Sequence, residues 1–296
     1  MQPFDYVKPQ SLEEASDLLV KHNGDARLMA GMTDLLIRIE RGFFHPRVVV
    51  DVKGLPGTRD LLIVRNGDLR IGAAVTMNEV ALSPLVRNGW PLLAQGCASV
   101  ASYQLRNRAT VGGNLCNASP AADSAPALFC YEASVHIFGP DGDRKLPLGE
   151  FFTGPGKTAL RRGELLTGVT VPFRARAAGQ FLKLGRTAVG DISVMNVAVL
   201  GWPDEAAASG SQWRIALGSV APTVIRAPDA ERLLSADTSS AGIEAAAQAA
   251  AASARPIDDI RATAAYRRDM VRVLTRRGVE HVLREINHKG TEDAEG

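Results

Sequence analysis

The residues most able to do chemistry lie in the run Thr110 to Asp123, T-V-G-G-N-L-C-N-A-S-P-A-A-D, which is almost free of bulky side chains. Gly112 and Gly113 carry no Cβ and tolerate positive φ, so a ligand can come close to the backbone there. Thr110, Asn114, Asn117 and Ser119 surround them with short donors and acceptors. That is the chemistry of a phosphate or polyol cradle. Upstream, Leu28 to Leu35 reads L-M-A-G-M-T-D-L. Leu28 and Met29 read as a short strand, Ala30 and Gly31 as a tight turn, and Thr33 or Asp34 as the N-cap of a helix running toward Arg41. A strand, a small turn and a helix start gather exposed N–H groups and the positive end of a helix dipole, worth about 0.3–1 kcal/mol per nearby surface charge. A Gly-Gly pair alone is more often a plain turn, and Ala-Gly before a helix a plain connection. Two such segments in one chain point to an anionic ligand.

Other chemistries lack their residues. Cys97, Cys116 and Cys130 are odd in number and too widely spaced for a cluster or a disulfide framework, and Cys116 reads as a small packing residue. His22, His45, His136, His281 and His288 show no metal-ligand spacing, so no metal site is expected. Gly156-Lys157-Thr158 resembles the end of a P-loop but has Phe151 where the first glycine belongs, and no G-x-G-x-x-G is present. No Ser-His-Asp or paired-carboxylate arrangement is found, so no catalytic residue is expected. The 34 basic and 32 acidic residues leave a formal charge of +2, giving no electrostatic case for nucleic acid or an anionic membrane. Met1 to Val7 is no signal peptide and no apolar run is long enough to span a bilayer, so a cytoplasmic location is expected.

The elements that must position these residues follow from periodicity and capping. With 296 residues and 46% hydrophobic content, the chain exceeds one comfortable core and predicts several subdomains. Ser11 and Glu14 form a capping box before Leu12, Ala15, Leu18 and Leu19, and Gly24 closes that helix. The strand at 27–29, the short helix from Asp34 and the β-branched run 48–50 complete a β-α-β unit in the first subdomain, residues 1–56. In the second, 57–174, Asn66-Gly67 marks a hairpin, Thr76 and Glu79 repeat the capping box, and strands are expected at 134–138, 145–148 and 165–172. The third, 175–286, opens with an antiparallel sheet at 179–184, 193–201 and 213–220. Alanine-rich 241–254 and a last helix then follow, the latter with Tyr266, Met270, Val273, Leu274, Val282, Leu283 and Ile286 on one face. Its arginines, Arg267, Arg268, Arg272, Arg276 and Arg277, read as a solvated face, with docking of a partner subunit as the alternative, and 287–296 as a disordered tail. The fold class is α+β.

A-G-x-T-D-L near the N-terminus, followed by T-V-G-G-N-L-C-N-A-S-P-x-x-D, resembles the FAD-binding (medium) subunit of the xanthine dehydrogenase and carbon monoxide dehydrogenase family of molybdenum hydroxylases. K-L-G-R-T-A-V-G-D-I-S at 183–193 and A-Y-R-R-D-M-V-R-V-L-T-R-R at 265–277 extend the likeness over nearly the whole chain. It implies a PCMH-type FAD-binding domain of two α/β subdomains followed by a C-terminal flavoprotein domain. It further implies FAD laid out between those first two subdomains, with Leu28, Met29, Ala30, Gly31, Met32, Thr33, Asp34 and Leu35 forming one loop. Thr110, Gly112, Gly113, Asn114 and Asn117 form the other. Backbone N–H groups of both would hold the pyrophosphate, and Thr33, Thr110 and Asn114 would add side-chain donors. Asp123 would accept from a ribose or ribityl hydroxyl, and Val100, Ala101, Leu165 and Leu166 would touch the rings. Lys183 matches a family lysine by the flavin, where it would stabilise the reduced ring; a surface lysine is the alternative. The family commonly has a second glycine where this chain has Met32. The implied activity is electron transfer from two 2Fe-2S clusters on a small subunit, through FAD, to an external acceptor, with hydroxylation on a large molybdopterin subunit and a dimer of heterotrimers as the assembly. A self-contained flavin oxidase and a structural subunit that has lost FAD are the alternatives.

Overall fold

The computed structural model describes residues 2–187 and 189–295, without side chains beyond 288. The chain divides into two compact units, one of Met1–Val80, Ser102–Ala118 and Ala133–Pro172, the other of Ala81–Ala101, Ser119–Glu132 and Phe173–Gly296. Residues 81–101 and 119–132, grouped above with the second subdomain, therefore cluster with the C-terminal part.

In the first unit, β1 (Asp5–Val7), β2 (Ala26–Met29) and β3 (Val48–Asp51) form a parallel sheet in the order β1-β3-β2. Helix α1 (Leu12–Lys21) begins where Ser11 Oγ accepts from the Glu14 N–H at 3.1 Å. Ala15 packs with Val48, Val50 and Leu165 in a small core. Helix α2 (Leu35–Glu40) follows β2. Next, β4 (Leu61–Ile63) and β5 (Leu69–Gly72) pair antiparallel across Gly67, whose φ of 85° only glycine adopts readily. Helix α3 (Met77–Leu82) starts at a complete capping box, with Glu79 N–H donating to Thr76 Oγ1 at 3.2 Å and Thr76 N–H to the Glu79 carboxylate at 2.7 Å.

Helices α4 (Pro84–Gly89) and α5 (Pro91–Ala98) belong wholly to the second unit. The chain then returns to the first for α6 (Tyr103–Arg106) and α7 (Val111–Asn117), and leaves again for α8 (Ser124–Cys130). Strands β6 (Ser134–Gly139) and β7 (Gly142–Pro147), short helix α9 (Leu148–Phe151), hairpin β8 (Phe152–Gly154) and β9 (Lys157–Thr158), and β10 (Leu165–Val171) complete the first unit. Its larger sheet runs β4-β5-β10-β6-β7.

The second unit is built on the antiparallel sheet β11 (Ala178–Leu184), β12 (Met195–Pro203), β13 (Ser211–Gly218) and β14 (Ile225–Arg226). Helices α10 (Pro228–Ala236), α11 (Ser240–Ser253) and α12 (Ala264–Glu295) cover one face, packing Ala246, Ala250, Val271, Val282 and Ile286 against Val197, Val199, Trp213 and Ile215. On the other face Gly179 lets β11 approach Leu92 of α5. Burial on both faces is why β12 is buried from Met195 through Gly201.

Two details of the last helix differ from the expectation. Arg267 is 3% exposed, pairs with Asp259 at 2.6 Å and donates to the Ser219 carbonyl at 3.2 Å, whereas Tyr266 is half exposed. The buried stripe runs instead through Val271, Leu274, Thr275, Val279, Val282 and Ile286, and Arg267 lies inside because Asp259 neutralises it there. Helix α12 also continues through 287–295, the segment expected to be a disordered tail; Gly296 lies outside the described residues.

His136 of β6 faces Thr170 of β10, with its Nε2 2.7 Å from the hydroxyl. Burial, with Arg70 and Lys145 nearby, lowers its pKa from 6.5 to about 4. A depressed folded pKa means the unfolded chain takes up the proton first. The stability due to neutral His136 is complete above pH 6.5 and declines as the pH falls toward 4. Urea midpoints measured from neutral pH down through that window should fall in the wild type and fall less in His136→Gln; parallel curves would overturn this assignment.

Candidate functional site

The two glycine segments come together in the first unit. An ideal Cβ on Gly31 would fall on the Arg108 carbonyl, so only glycine lets the turn after β2 lie against the 108–109 backbone. The segment leading into that backbone is held by Asn78, whose side-chain amide donates to the Tyr103 carbonyl at 2.9 Å and to Asn107 Oδ1 at 2.7 Å and accepts from Arg106 Nε at 3.0 Å. Ala109 O then accepts from the Met77 N–H, and Thr110 begins α7.

The two loops differ in what they leave available. Among the described residues, the N–H groups of Gly31, Met32, Thr33 and Asp34 have no hydrogen-bond acceptor, and this turn is half exposed. In the second loop the amides of Val111, Gly112 and Asn114 are bonded to Val75 O, Ala73 O and Thr110 O, and that of Gly113 to Thr110 Oγ1 at 3.1 Å. The expectation that amides of both loops are open to a ligand therefore meets a first loop with free donors and a second whose donors are already bonded, two to the 73–75 segment and two to the Thr110 cap of α7. Gly112 is buried against Ala73, where a Cβ would clash. Gly113 is exposed, and a Cβ there would meet only the Thr110 hydroxyl, at 2.8 Å. Of the two glycines, Gly113 is the one that keeps space for a ligand. Cys116, read above as a packing residue, is exposed.

Met32 has φ 66°, the left-handed region that favours glycine. A glycine at this position would remove that strain, which explains the preference for one here. Asp34 occupies the N-cap position of α2 without capping it; its carboxylate accepts instead from Asn117 Nδ2 at 3.3 Å. Asn117 Oδ1 accepts from Arg38 Nη2 at 2.6 Å. Leu165 lies in the core with Val50 and Leu55, and Leu166 is 5% exposed.

In the second unit, Asp123 and Lys183, assigned separately above, form one ion pair at 2.6 Å. The carboxylate also accepts from Ser193 Oγ at 2.5 Å and Asn196 Nδ2 at 3.0 Å, and Lys183 Nζ donates to the Ser99 carbonyl at 3.0 Å. Lys183 is thus a fixed, largely buried cation and no surface lysine. Burial pushes the Asp123 carboxyl above its ordinary value, against the opposing pull of Lys183, Ser193 and Asn196. Val100 and Ala101 follow α5, Ala101 with φ 44°. Arg38, Ser99, Ser193 and Asn196 were not singled out from the sequence. Only Arg38, one helical turn from Asp34, had a spacing that could have revealed it.

The first unit and the start of the second match the FAD binding domain in molybdopterin dehydrogenase, residues 2–174, and residues 180–282 match the CO dehydrogenase flavoprotein C-terminal domain. The chain is 32% identical to the carbon monoxide dehydrogenase medium chain of Hydrogenophaga pseudoflava, over 93% of this chain and 96% of that one. It is 34% identical to the nicotine 6-hydroxylase medium subunit of Paenarthrobacter nicotinovorans, over 93% and 95%. Among solved structures, carbon monoxide dehydrogenase from H. pseudoflava superposes with a TM-score of 0.90 at 32% identity, covering 96% of this chain and 99% of that one. Quinoline 2-oxidoreductase from Pseudomonas putida 86 superposes at 0.89 and 26% identity, covering 96% and 98%.

Two outcomes follow from this geometry. Met32→Gly should relieve a strain of about 1 kcal/mol and raise the thermal midpoint, with an unchanged or lower midpoint counting against strain at this residue. Asp123→Ala leaves Lys183 buried without its counter-charge and should destabilise the chain by about 3 kcal/mol in urea denaturation, more than Asp123→Asn does. Equal and small losses would show that the pair carries no structural weight.

Proposed function

Because this chain belongs to the family of FAD-binding subunits of carbon monoxide and xanthine dehydrogenase-type molybdenum hydroxylases, we propose that it holds FAD on the Gly31 and Gly113 loops and relays electrons within such a complex. The observation that carries the reading is the set of four unbonded N–H groups from Gly31 to Asp34 beside a segment whose exposed glycine, Gly113, keeps the approach open. These residues fit a pyrophosphate. Free amides suit its oxygens, and the Asp34 carboxylate is engaged by Asn117. We assign the pyrophosphate chiefly to Ala30, Gly31, Met32, Thr33 and Asp34, with Thr110 and Asn114 presenting side chains from the second loop.

Bound FAD supplies the chemistry, since flavin takes electrons one at a time and releases them in pairs. The chain's own residues position and tune. Lys183, held by Asp123 and Ser99, is the cation we assign to the flavin ring, where a fixed positive charge favours added electrons. Asp123 then acts through Lys183 rather than on a hydroxyl, since its oxygens already accept from Lys183, Ser193 and Asn196. No side chain of this subunit need act on the organic substrate, in keeping with a medium subunit whose partners do the hydroxylation. We assign those partners as a small subunit with two 2Fe-2S clusters and a large molybdopterin subunit, in a cytoplasmic dimer of heterotrimers. No helix among the described residues is long and apolar enough to cross a membrane. Relatives acting on carbon monoxide, nicotine and quinoline share the fold, so the organic substrate belongs to the large partner.

Gly113→Val tests the assignment. The side chain fills the open approach and disturbs the Thr110 cap, at about 1 kcal/mol too little to unfold the unit. The variant should stay soluble yet retain no FAD in absorbance and fluorescence titrations; normal flavin content would sink the role of the second loop. A wild-type chain that oxidised an organic substrate without partners would favour the self-contained oxidase instead.

A further inference from the structure

We propose that Asn117 is a positioning residue that clamps the two FAD-binding loops to each other, rather than a direct donor to the cofactor. The inference rests on the FAD reading above and adds a role for Asn117, Asp34 and Arg38. Asn117 is the last residue of α7, and Ala118 beyond it turns left-handed with φ 46°. Asp34 and Arg38 sit one turn apart at the start and near the end of α2. One carboxamide joins all three. Its oxygen accepts from Arg38 at 2.6 Å and its nitrogen donates to Asp34 at 3.3 Å.

The orientation of that amide is forced by its neighbours. A guanidinium only donates and a carboxylate only accepts, so Oδ1 must face Arg38 and Nδ2 must face Asp34. Asn is the residue that serves both at once with a short, stiff side chain. Arg38 is itself held from behind, its guanidinium 5.6 Å from the centre of the Phe44 ring. Asp34 gives up its own helix for this contact. An aspartate at an N-cap normally accepts from the first-turn amides, yet here it makes no such bond. The clamp therefore sets the spacing between the Gly31 turn and the exposed Gly113.

The arrangement allows a polarity swap. Asn117→Asp keeps the acceptor for Arg38 but sets two carboxylates face to face. The double variant Asp34→Asn with Asn117→Asp keeps the bond from Arg38, restores the bond between 34 and 117 with donor and acceptor exchanged, and leaves every backbone amide in place. In the full chain, FAD binding measured by flavin fluorescence quenching should weaken about tenfold in Asn117→Asp and return to near wild-type affinity in the double variant, a coupling of about 1.4 kcal/mol. Amide exchange in the FAD-free chain should show the same pattern at Leu36, Arg38, Gly113 and Asn114, faster in the single variant and restored in the double. A double variant as weak as the single would overturn the clamp and mark Asn117 as a direct FAD donor. Unchanged exchange in Asn117→Asp would overturn it whatever the FAD affinity. If exchange follows the swap but the wild-type chain takes up no FAD, the FAD reading fails while the clamp between the loops stands.

Discussion

Gly31 lies against the backbone at Arg108 and Ala109 so closely that its missing side chain is the condition for the contact. A methyl group there would have to displace main chain, which cannot yield as a side chain tip can. From this approach the rest of the first unit's site follows. The turn after β2 is brought to the start of α7, Asp34 comes within reach of Asn117, and the amides from Gly31 to Asp34 have no acceptor among the described residues. The buried Asn78 supports the other side of the contact, fixing three residues of the 103–107 segment with one carboxamide. A polar residue so placed is costly unless fully bonded, and each of its side-chain hydrogens and its oxygen has a partner.

The second unit solves a different problem, that of holding a lysine ammonium still. A lysine side chain on the surface loses its position to rotamer freedom, so a fixed positive charge needs several acceptors around it. Asp123 and the Ser99 carbonyl provide them, while Ser193 and Asn196 hold Asp123 in turn. Gly218 makes room for Asn196, whose oxygen would collide with a side chain at that position. The network is buried enough that its ion pair adds little net stability over an apolar replacement. What it provides is a charge of defined position.

Chemistry was more legible in this sequence than geometry. The β-α-β opening, the Asn66-Gly67 hairpin, the Thr76 capping box and the alanine-rich helix each follow from neighbours within a few residues, and each is found. Arg267 was misread because helical periodicity alone placed it one position from the buried stripe, while the Asp259 that admits it comes from a loop. The grouping of α5 and α8 with the C-terminal sheet was likewise invisible. Their apolar composition says that they are buried but not against what, and the Gly179 that receives Leu92 lies far along the chain.

By itself the sequence determined the ligand class and the family, because both reside in short runs whose residue types are dictated by close approach and by hydrogen-bonding capacity. It also marked Met32 as a departure, though not that its backbone is left-handed. Only the tertiary structure decided which groups are free to bind. Thr110, Gly112, Asn117 and Asp123 share one motif, yet a cap, a packing contact, an inter-loop clamp and an ion pair claim them separately. The cap is made within the motif, to Gly113, but the other claims are made by Ala73, Asp34, Arg38 and Lys183, residues outside it, and a hydrogen bond formed across the fold withdraws a group that the local sequence shows as available.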